Sequence, residues 1–214
     1  MVLDVDILLV DDASNDGTEE VVERFSSEYS LIELLRRPRK MGLGSAYREG
    51  FSKVLQKDYD LVIQMDADGS HRVEDLRKMM DFILVHPEID LVIGSRWVDG
   101  GAVANWPKRR ELLSRVANLY SRLMLNLEVR DNTAGFRIYR AEFLSRMDLG
   151  SIKSEGYAFQ IEMTRQATRL GGKIRELPIL FVEREIGVSK MSSEIIREAL
   201  IKVTKWGVAR LFGR

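Results

Sequence analysis

The 214-residue chain contains no cysteine, so neither disulfides nor a thiolate metal site can support it. It carries no net charge, because 33 basic side chains balance 33 acidic ones. That balance removes any global argument for nucleic acid or for an acidic partner, and leaves local clusters to carry the reading. No apolar run approaches the roughly 18 residues that a membrane span needs. Met1 to Asp6 shows no basic region followed by an apolar core, and so does not read as a signal peptide. Internal repeats and low-complexity stretches are absent as well. These absences leave a chain long enough to bury a sizeable core, soluble or peripheral to a membrane, and consistent with a reducing compartment.

What is present is an alternation of short apolar runs and amphipathic stretches. Ile7–Val10, Leu31–Leu35, Leu61–Met65 and Leu91–Ile93 read as strands because they are short, continuous and bounded by polar residues. Thr18–Tyr29, Gly44–Leu55 and Val73–Val85 read as the helices between them. That alternation predicts an α/β fold with a mostly parallel, Rossmann-like sheet flanked by helices. The pattern then changes to a helix over Glu111–Leu125, a short strand over Phe136–Tyr139 and a helix over Tyr157–Leu170. Ile174–Val182 reads as a strand that Pro178 bends or confines to an edge, and residues 192–214 as an amphipathic terminal helix. No linker separates the halves, so residues 1–214 are expected to form one domain.

The most pointed local feature is Asp66-Ala67-Asp68, which follows the apolar run Leu61-Val62-Ile63. Carboxylates two residues apart at a strand end point to one side. They would stand at the carboxyl edge of the sheet, where open α/β folds bind ligands. A hard divalent ion takes such oxygens and shares them with substrate phosphates; the alternative is a solvated turn, which Asp-Gly also suits. Arg96, just past the next strand end, belongs to the same edge, where a guanidinium can clamp phosphate. Asp12, after the first strand, is the better candidate there for ligand contact, with Asp16 and Thr18 left to cap the turn. Arg110 and Ser114 share a helical face near a helix start and could grip one phosphate. The run Arg36-Arg37-Pro38-Arg39-Lys40 reads as a solvated face, His71 as support for the carboxylate loop, and Met79, Met80, Met163, Phe82 and Phe159 as core. In the terminal helix Ile196, Leu200, Val203 and Trp206 fall near one face with lysines and arginines around it. That face fits either an anionic membrane surface or the protein core.

Val10 to Thr18, Met41-Gly42-Leu43-Gly44 and Asp66-Ala67-Asp68 resemble the family 2 glycosyltransferases of GT-A fold. Gly94-Ser95-Arg96-Trp97, Asn105-Trp106-Pro107, Arg110 to Ser114, Asp131 to Arg137, Gly156 to Gln160, and Glu183-Arg184 with Gly187 to Met191 narrow the likeness. Together they resemble the dolichyl- and polyprenyl-phosphate mannose synthases, above all the bacterial polyprenol monophosphomannose synthases. The resemblance implies inverting transfer of mannose from GDP-mannose to a polyprenyl phosphate, feeding lipid-linked glycan or protein mannosylation, at the cytoplasmic face of a membrane and without nucleic acid. It implies Mg²⁺ or Mn²⁺ held by Asp66 and Asp68, with Ser70 at a third position where some relatives carry Gln. It further implies Val10, Asp12 and the Ala67 backbone at the nucleotide, and Arg96, Arg184 and Lys190 around the reacting phosphates. Arg110, Ser114 and Arg137 would stand at the acceptor phosphate, with Asp131 orienting Arg137 or the acceptor loop. A hydroxyl acceptor would instead need Asp131 as base. The family opens with a strand and a Pro-Thr-Tyr-Asn-Glu-like loop that this chain lacks, so an N-terminal segment is expected to be missing. Two other readings stay open: a family 2 transferase for another sugar, or a nucleotide-binding module without activity.

Overall fold

The structure is a computed structural model that describes residues 5–183 and 193–212. It divides into two compact units, Met1–Tyr59 and Asp60–Arg214.

In the first unit β1 (Ile7–Asp11) and β2 (Ile32–Arg36) pair in parallel, with Ile7 opposite Ile32 and Asp11 opposite Arg36. Helix α1 (Thr18–Glu28) connects them, and Glu19 and Glu20 in its first turn suit the helix dipole. Its entry is capped as expected, since Asp16 accepts from both the amide and the hydroxyl of Thr18. Helix α2 (Leu43–Val54) packs on β1 at Gly50, where a Cβ would come within 3.1 Å of Val10. Arg37 departs from the expected solvated face. Its side chain is buried and holds Asp12, Glu49 and Ser45 together.

The second unit is built on a mixed four-stranded sheet in the order β3 (Leu61–Gln64), β6 (Arg137–Arg140), β4 (Leu91–Ser95), β7 (Ile174–Pro178). β6 runs antiparallel to both neighbours, while β4 and β7 are parallel. This refines the mostly parallel expectation, because the late strand Arg137–Arg140 inserts between two strands that are consecutive in sequence. β4 is buried along its whole length, as its continuous apolar run requires. Pro178 ends β7 at the sheet edge, and β8 (Leu180–Val182) then pairs in parallel with β5 (Ala102–Ala104). Helices α3 (Val73–Val85), α5 (Ala141–Ser145) and α6 (Gly156–Arg169) bury Met79, Ile83, Leu144, Phe159 and Met163.

A smaller cluster joins α4 (Lys108–Leu125), α6 and α7 (Ser193–Leu211) through Leu125, Leu127, Ile161 and Val203, with Trp206 against it. The face of α7 that joins Val203 and Trp206 is therefore turned into the protein. Val203 and Trp206 of the expected face thus take the core alternative, while Leu200 is exposed.

Two glycines fix how the end of β4 meets its surroundings. At Gly94 a Cβ would press on Ile179, Met79 and Phe136 at 3.0–3.2 Å. At Gly101 a Cβ would stand 2.6 Å from the carbonyl oxygen of Ser95 and 2.9 Å from that of Arg96. Backbone cannot yield there as a flexible side chain would. Gly101→Ala is expected to destabilise the protein by about 1–3 kcal/mol, read as a lower denaturant midpoint in chemical unfolding. An unchanged midpoint would show that this approach is not tight.

Candidate active site

One pocket in the second unit gathers Asp66, Asp68, His71, Arg96, Trp106, Arg110, Thr133, Gly135, Tyr157 and Phe181. β3 delivers its acidic wall. The chain leaves Gln64 and turns through Asp66-Ala67-Asp68-Gly69, with Gly69 in the left-handed region that the turn requires. The turn is tied down from within. The Asp66 amide donates to His71 Nδ1 at 3.1 Å, and the Ser70 amide and hydroxyl both donate to Asp68 Oδ1. The Ser70 carbonyl accepts from Val182, which brings β8 and Phe181 alongside. His71 therefore supports the carboxylate loop, as its position suggested. Its ring is buried, stacked on Phe136 at 4.6 Å with Phe181 at its edge. Burial holds its pKa below the ordinary value, against the pull of Asp66 and Asp68.

Opposite stands Arg96, which β4 delivers at its carboxyl end. It is buried, and Asp131 engages it three ways: through its own amide at 2.9 Å, Nε at 2.8 Å and Nη2 at 2.6 Å. Thr133 takes a further bond from Nη2 and itself donates to Asp131, while the amides of Arg130 and Asp131 are held by Glu176. Burial opposes the charge of Arg96, but Asp131 outweighs it and keeps the guanidinium more basic than usual. The expected partner of Asp131 was Arg137 or the acceptor loop; the observed partner is Arg96.

Arg110 reaches the pocket from the first turn of α4. Its guanidinium lies over the Trp106 ring at 4.0 Å from the centroid and pairs with Glu183. Ser114 sits one turn on, half-buried, on the face continued by Asn118, which bonds the Ser114 carbonyl and Thr133; it does not line the pocket.

Arg137 stands apart from the pocket. It is fully buried, and its Nε and Nη2 donate to the carbonyls of Ala134, Asn132 and Gln160. Those bonds pin the segment before β6 and leave the side chain outside the pocket, so it does not present itself to an acceptor phosphate.

In the first unit Asp12 accepts from Arg37 and from the amides of Met41 and Gly42 at 2.6–2.9 Å, so its carboxylate organises the loop before α2. Val10 turns its side chain to Gly50. Arg184 and Lys190 lie outside the described residues. Trp106, Phe181, Thr133 and Tyr157 are pocket residues that reasoning on charge did not single out. Asn105-Trp106-Pro107, an aromatic in a turn ahead of a helix with Asn105 at a φ of 64°, was the available signal for Trp106.

Among the described residues no group of three His, Cys, Asp or Glu side chains could hold a metal. Two carboxylates in one pocket remain, and a Cβ added at Gly135 would stand 3.6 Å from an Asp66 carboxylate oxygen. All the donors are hard oxygens, and open space lies in front of them. That set fits a Mg²⁺-like ion, which keeps waters and shares substrate phosphates, better than a closed protein cage. Ser70 already gives its proton to Asp68 and is buried, so its part is to orient that carboxylate.

An acid pair and two guanidiniums thus share one pocket at the carboxyl edge of a mixed α/β sheet, where open α/β folds bind ligands. The sequence profile described as Glycosyl transferase family 2 matches residues 2–147, and the chain belongs to that family of enzymes. It is similar to the undecaprenyl-phosphate mannosyltransferase of Micrococcus luteus, 48% identical over 95% of this chain and 83% of that protein. It is likewise similar to the polyprenol monophosphomannose synthase of Mycolicibacterium smegmatis, 47% identical over 95% of this chain and 77% of that one. Among solved structures, glucosyl-3-phosphoglycerate synthase from Mycobacterium tuberculosis, in complex with Mn²⁺, UDP-glucose and phosphoglyceric acid, superposes with a TM-score of 0.67. That match has 16% identity and covers 94% of this chain and 68% of that one, so it speaks for the fold, a GT-A glycosyltransferase fold as expected.

The lowered pKa of His71 fixes a sign. Above the ordinary value of 6.5 both folded and unfolded chains hold this histidine neutral. As pH falls through that value the unfolded chain takes up the proton first, and stability drops. His71→Asn keeps an acceptor for the Asp66 amide, so its unfolding free energy should fall less steeply than the wild type's below that pH. Parallel curves would mean His71 is not held neutral by the fold.

Proposed function

We propose that the chain transfers mannose from GDP-mannose to the phosphate of a long polyprenol, with inversion at the anomeric carbon. The observation that carries this reading is the engagement of Asp131. Its two carboxylate oxygens take four bonds, from the Arg96 amide, Nε and Nη2 and from Thr133. With both oxygens engaged in orienting Arg96, this carboxylate has a structural task already, and the site is better matched to an acceptor that needs no base. A phosphate monoester, with a second pKa of about 6, is such a nucleophile near neutral pH. One of its oxygens forms the new bond to the anomeric carbon as the bond to the diphosphate breaks, and GDP leaves with the electron pair.

This chain's residues would then position and neutralise. Arg96 stands at the departing diphosphate, held in orientation by Asp131, and Arg110 stands at the acceptor phosphate. Asp66 and Asp68 would hold Mg²⁺ or Mn²⁺, which when bound supplies positive charge to the leaving diphosphate. The two named relatives support mannose and a polyprenyl phosphate; GDP as the nucleotide follows from the motif resemblance.

A peripheral seat on the cytoplasmic face of a membrane belongs to the same proposal. Among the described residues no helix is long and apolar enough to cross a bilayer. α4, however, exposes Leu112, Val116, Leu119 and Leu123 in one stripe, opposite the face that carries Arg110 and Ser114. α7 adds exposed Leu200, Ile201, Val208 and Leu211, and exposed Phe212 follows it. Lys108, Arg109, Arg115 and Arg122 on α4 supply the cations that an anionic lipid surface attracts.

The test is transfer of labelled mannose from GDP-mannose to polyprenyl phosphate with Mg²⁺. Lipid-linked mannose should form, chelation should abolish it, and Asp68→Ala should lower the rate by about 10²–10³-fold, as loss of a charge-stabilising group does. Product made equally well by Asp68→Ala, or only from another nucleotide sugar, would overturn the reading.

A further inference from the structure

We propose that Glu183 is a resident counter-ion which the acceptor's phosphate displaces from Arg110, so that the site takes up phosphate by an exchange of anions. The inference rests on the reading that Arg110 receives an acceptor phosphate.

The two guanidiniums of the pocket are compensated in different ways. Arg96 and Asp131 are both buried, and the pair is fixed by several bonds from different directions. Such a pair does not open, because separating it strands two charges without water. Arg110 and Glu183 keep 14% and 23% of their side chains exposed, and the pair rests on one nitrogen, Nη1. The backbone of Glu183 is anchored by its amide on the Ala104 carbonyl, so the carboxylate alone needs to move. A one-point pair open to water is the kind that exchanges.

Two donors beside it point to what it exchanges with. Among the described residues, Arg110 Nε and Trp106 Nε1 are buried with no hydrogen-bond partner. A guanidinium satisfied by its natural ligand usually gives two parallel N–H bonds to two oxygens, and this one gives one. A second guanidinium is close by, since Arg96 lies 5.4 Å from the same Trp106 ring that Arg110 covers at 4.0 Å. A phosphate offers three oxygens and nearly two charges, against the single charge of a carboxylate. It can take Nε together with a terminal nitrogen and win the exchange.

Charge then sorts the ligands. A polyprenol without phosphate cannot displace Glu183. The monoester, close to dianionic, can. The product of transfer is a phosphodiester with one negative charge, because the oxygen that carried the second charge now bonds to the sugar. It competes with Glu183 on roughly equal terms, and the returning carboxylate helps it leave. Because either form must displace it, Glu183 lowers the affinity of both by one factor, and its return to Arg110 helps clear the site after transfer.

Calorimetric titration with a short, water-soluble prenyl monophosphate and with its methyl diester tests this without donor, turnover or membrane. The wild type should prefer the monoester. Glu183→Gln should tighten both ligands on the order of tenfold, because neither then has a counter-ion to displace. Glu183→Asp, which keeps the charge, should keep both affinities near those of the wild type. Affinities unchanged or weakened in Glu183→Gln would overturn the proposal and leave Glu183 as a prop for Arg110. Arg110→Ala reports on the underlying reading: if it binds the monoester as tightly as the wild type, the phosphate does not sit on Arg110, and both ideas fall.

Discussion

Burying a guanidinium at the end of β4 carries a desolvation penalty on the order of several kcal/mol, and Asp131 is what offsets it. The pair reaches across 35 positions of sequence and fastens the end of β4 to the segment that leads into β6. Glu176 holds the backbone of that segment from β7, and Asn118 holds Thr133 from α4. Three strands and a helix therefore meet at one ion pair. The pocket's shape depends on it, because Thr133, Ala134 and Gly135, which face the carboxylate loop, lie on the segment it anchors.

The same pair decides the chemistry. Asp131 gives both oxygens to Arg96 and Thr133, so the proposed function assigns the reaction an acceptor that needs no base. Acid on one wall, guanidinium on the other and an aromatic floor between them suit two phosphate-bearing partners brought together. Fixed and exchangeable pairs divide the work. Arg96 stays committed to Asp131 and, under the proposed function, would serve the group that departs, while Arg110, lightly held by Glu183, would serve the group that arrives.

Much of this was legible in the sequence where local rules govern. Strand ends announce themselves by composition, so Asp66, Asp68 and Arg96 were placed at one edge before any coordinates, and the spacing of Arg110 and Ser114 put them on one helix face. What escaped was long-range. Nothing local tells Asp131 to choose Arg96 over Arg137, since either pairing satisfies a buried carboxylate. Arg37 sits in a basic run that looks solvated, yet the turn after β2 folds it under Asp12 and Glu49. β5 and α5 are three and five residues long, too short for periodicity to register. The outward apolar stripe of α4 hides behind the opposite expectation, that apolar side chains face in; only the packing of α7 and α6 on its other side reveals which face is left over.

The claim that the protein supplies no base is tested most directly by the pH dependence of transfer to two acceptors: a prenyl phosphate and the matching phosphonate, whose second ionisation comes at higher pH. With Asp131 committed to Arg96, the acid limb of the rate profile belongs to the acceptor, near a pKa of about 6 for the phosphate. It should move upward with the phosphonate. An acid limb that stays in place when the acceptor is changed would show that a side chain of the protein is giving up the proton, and would contradict the account.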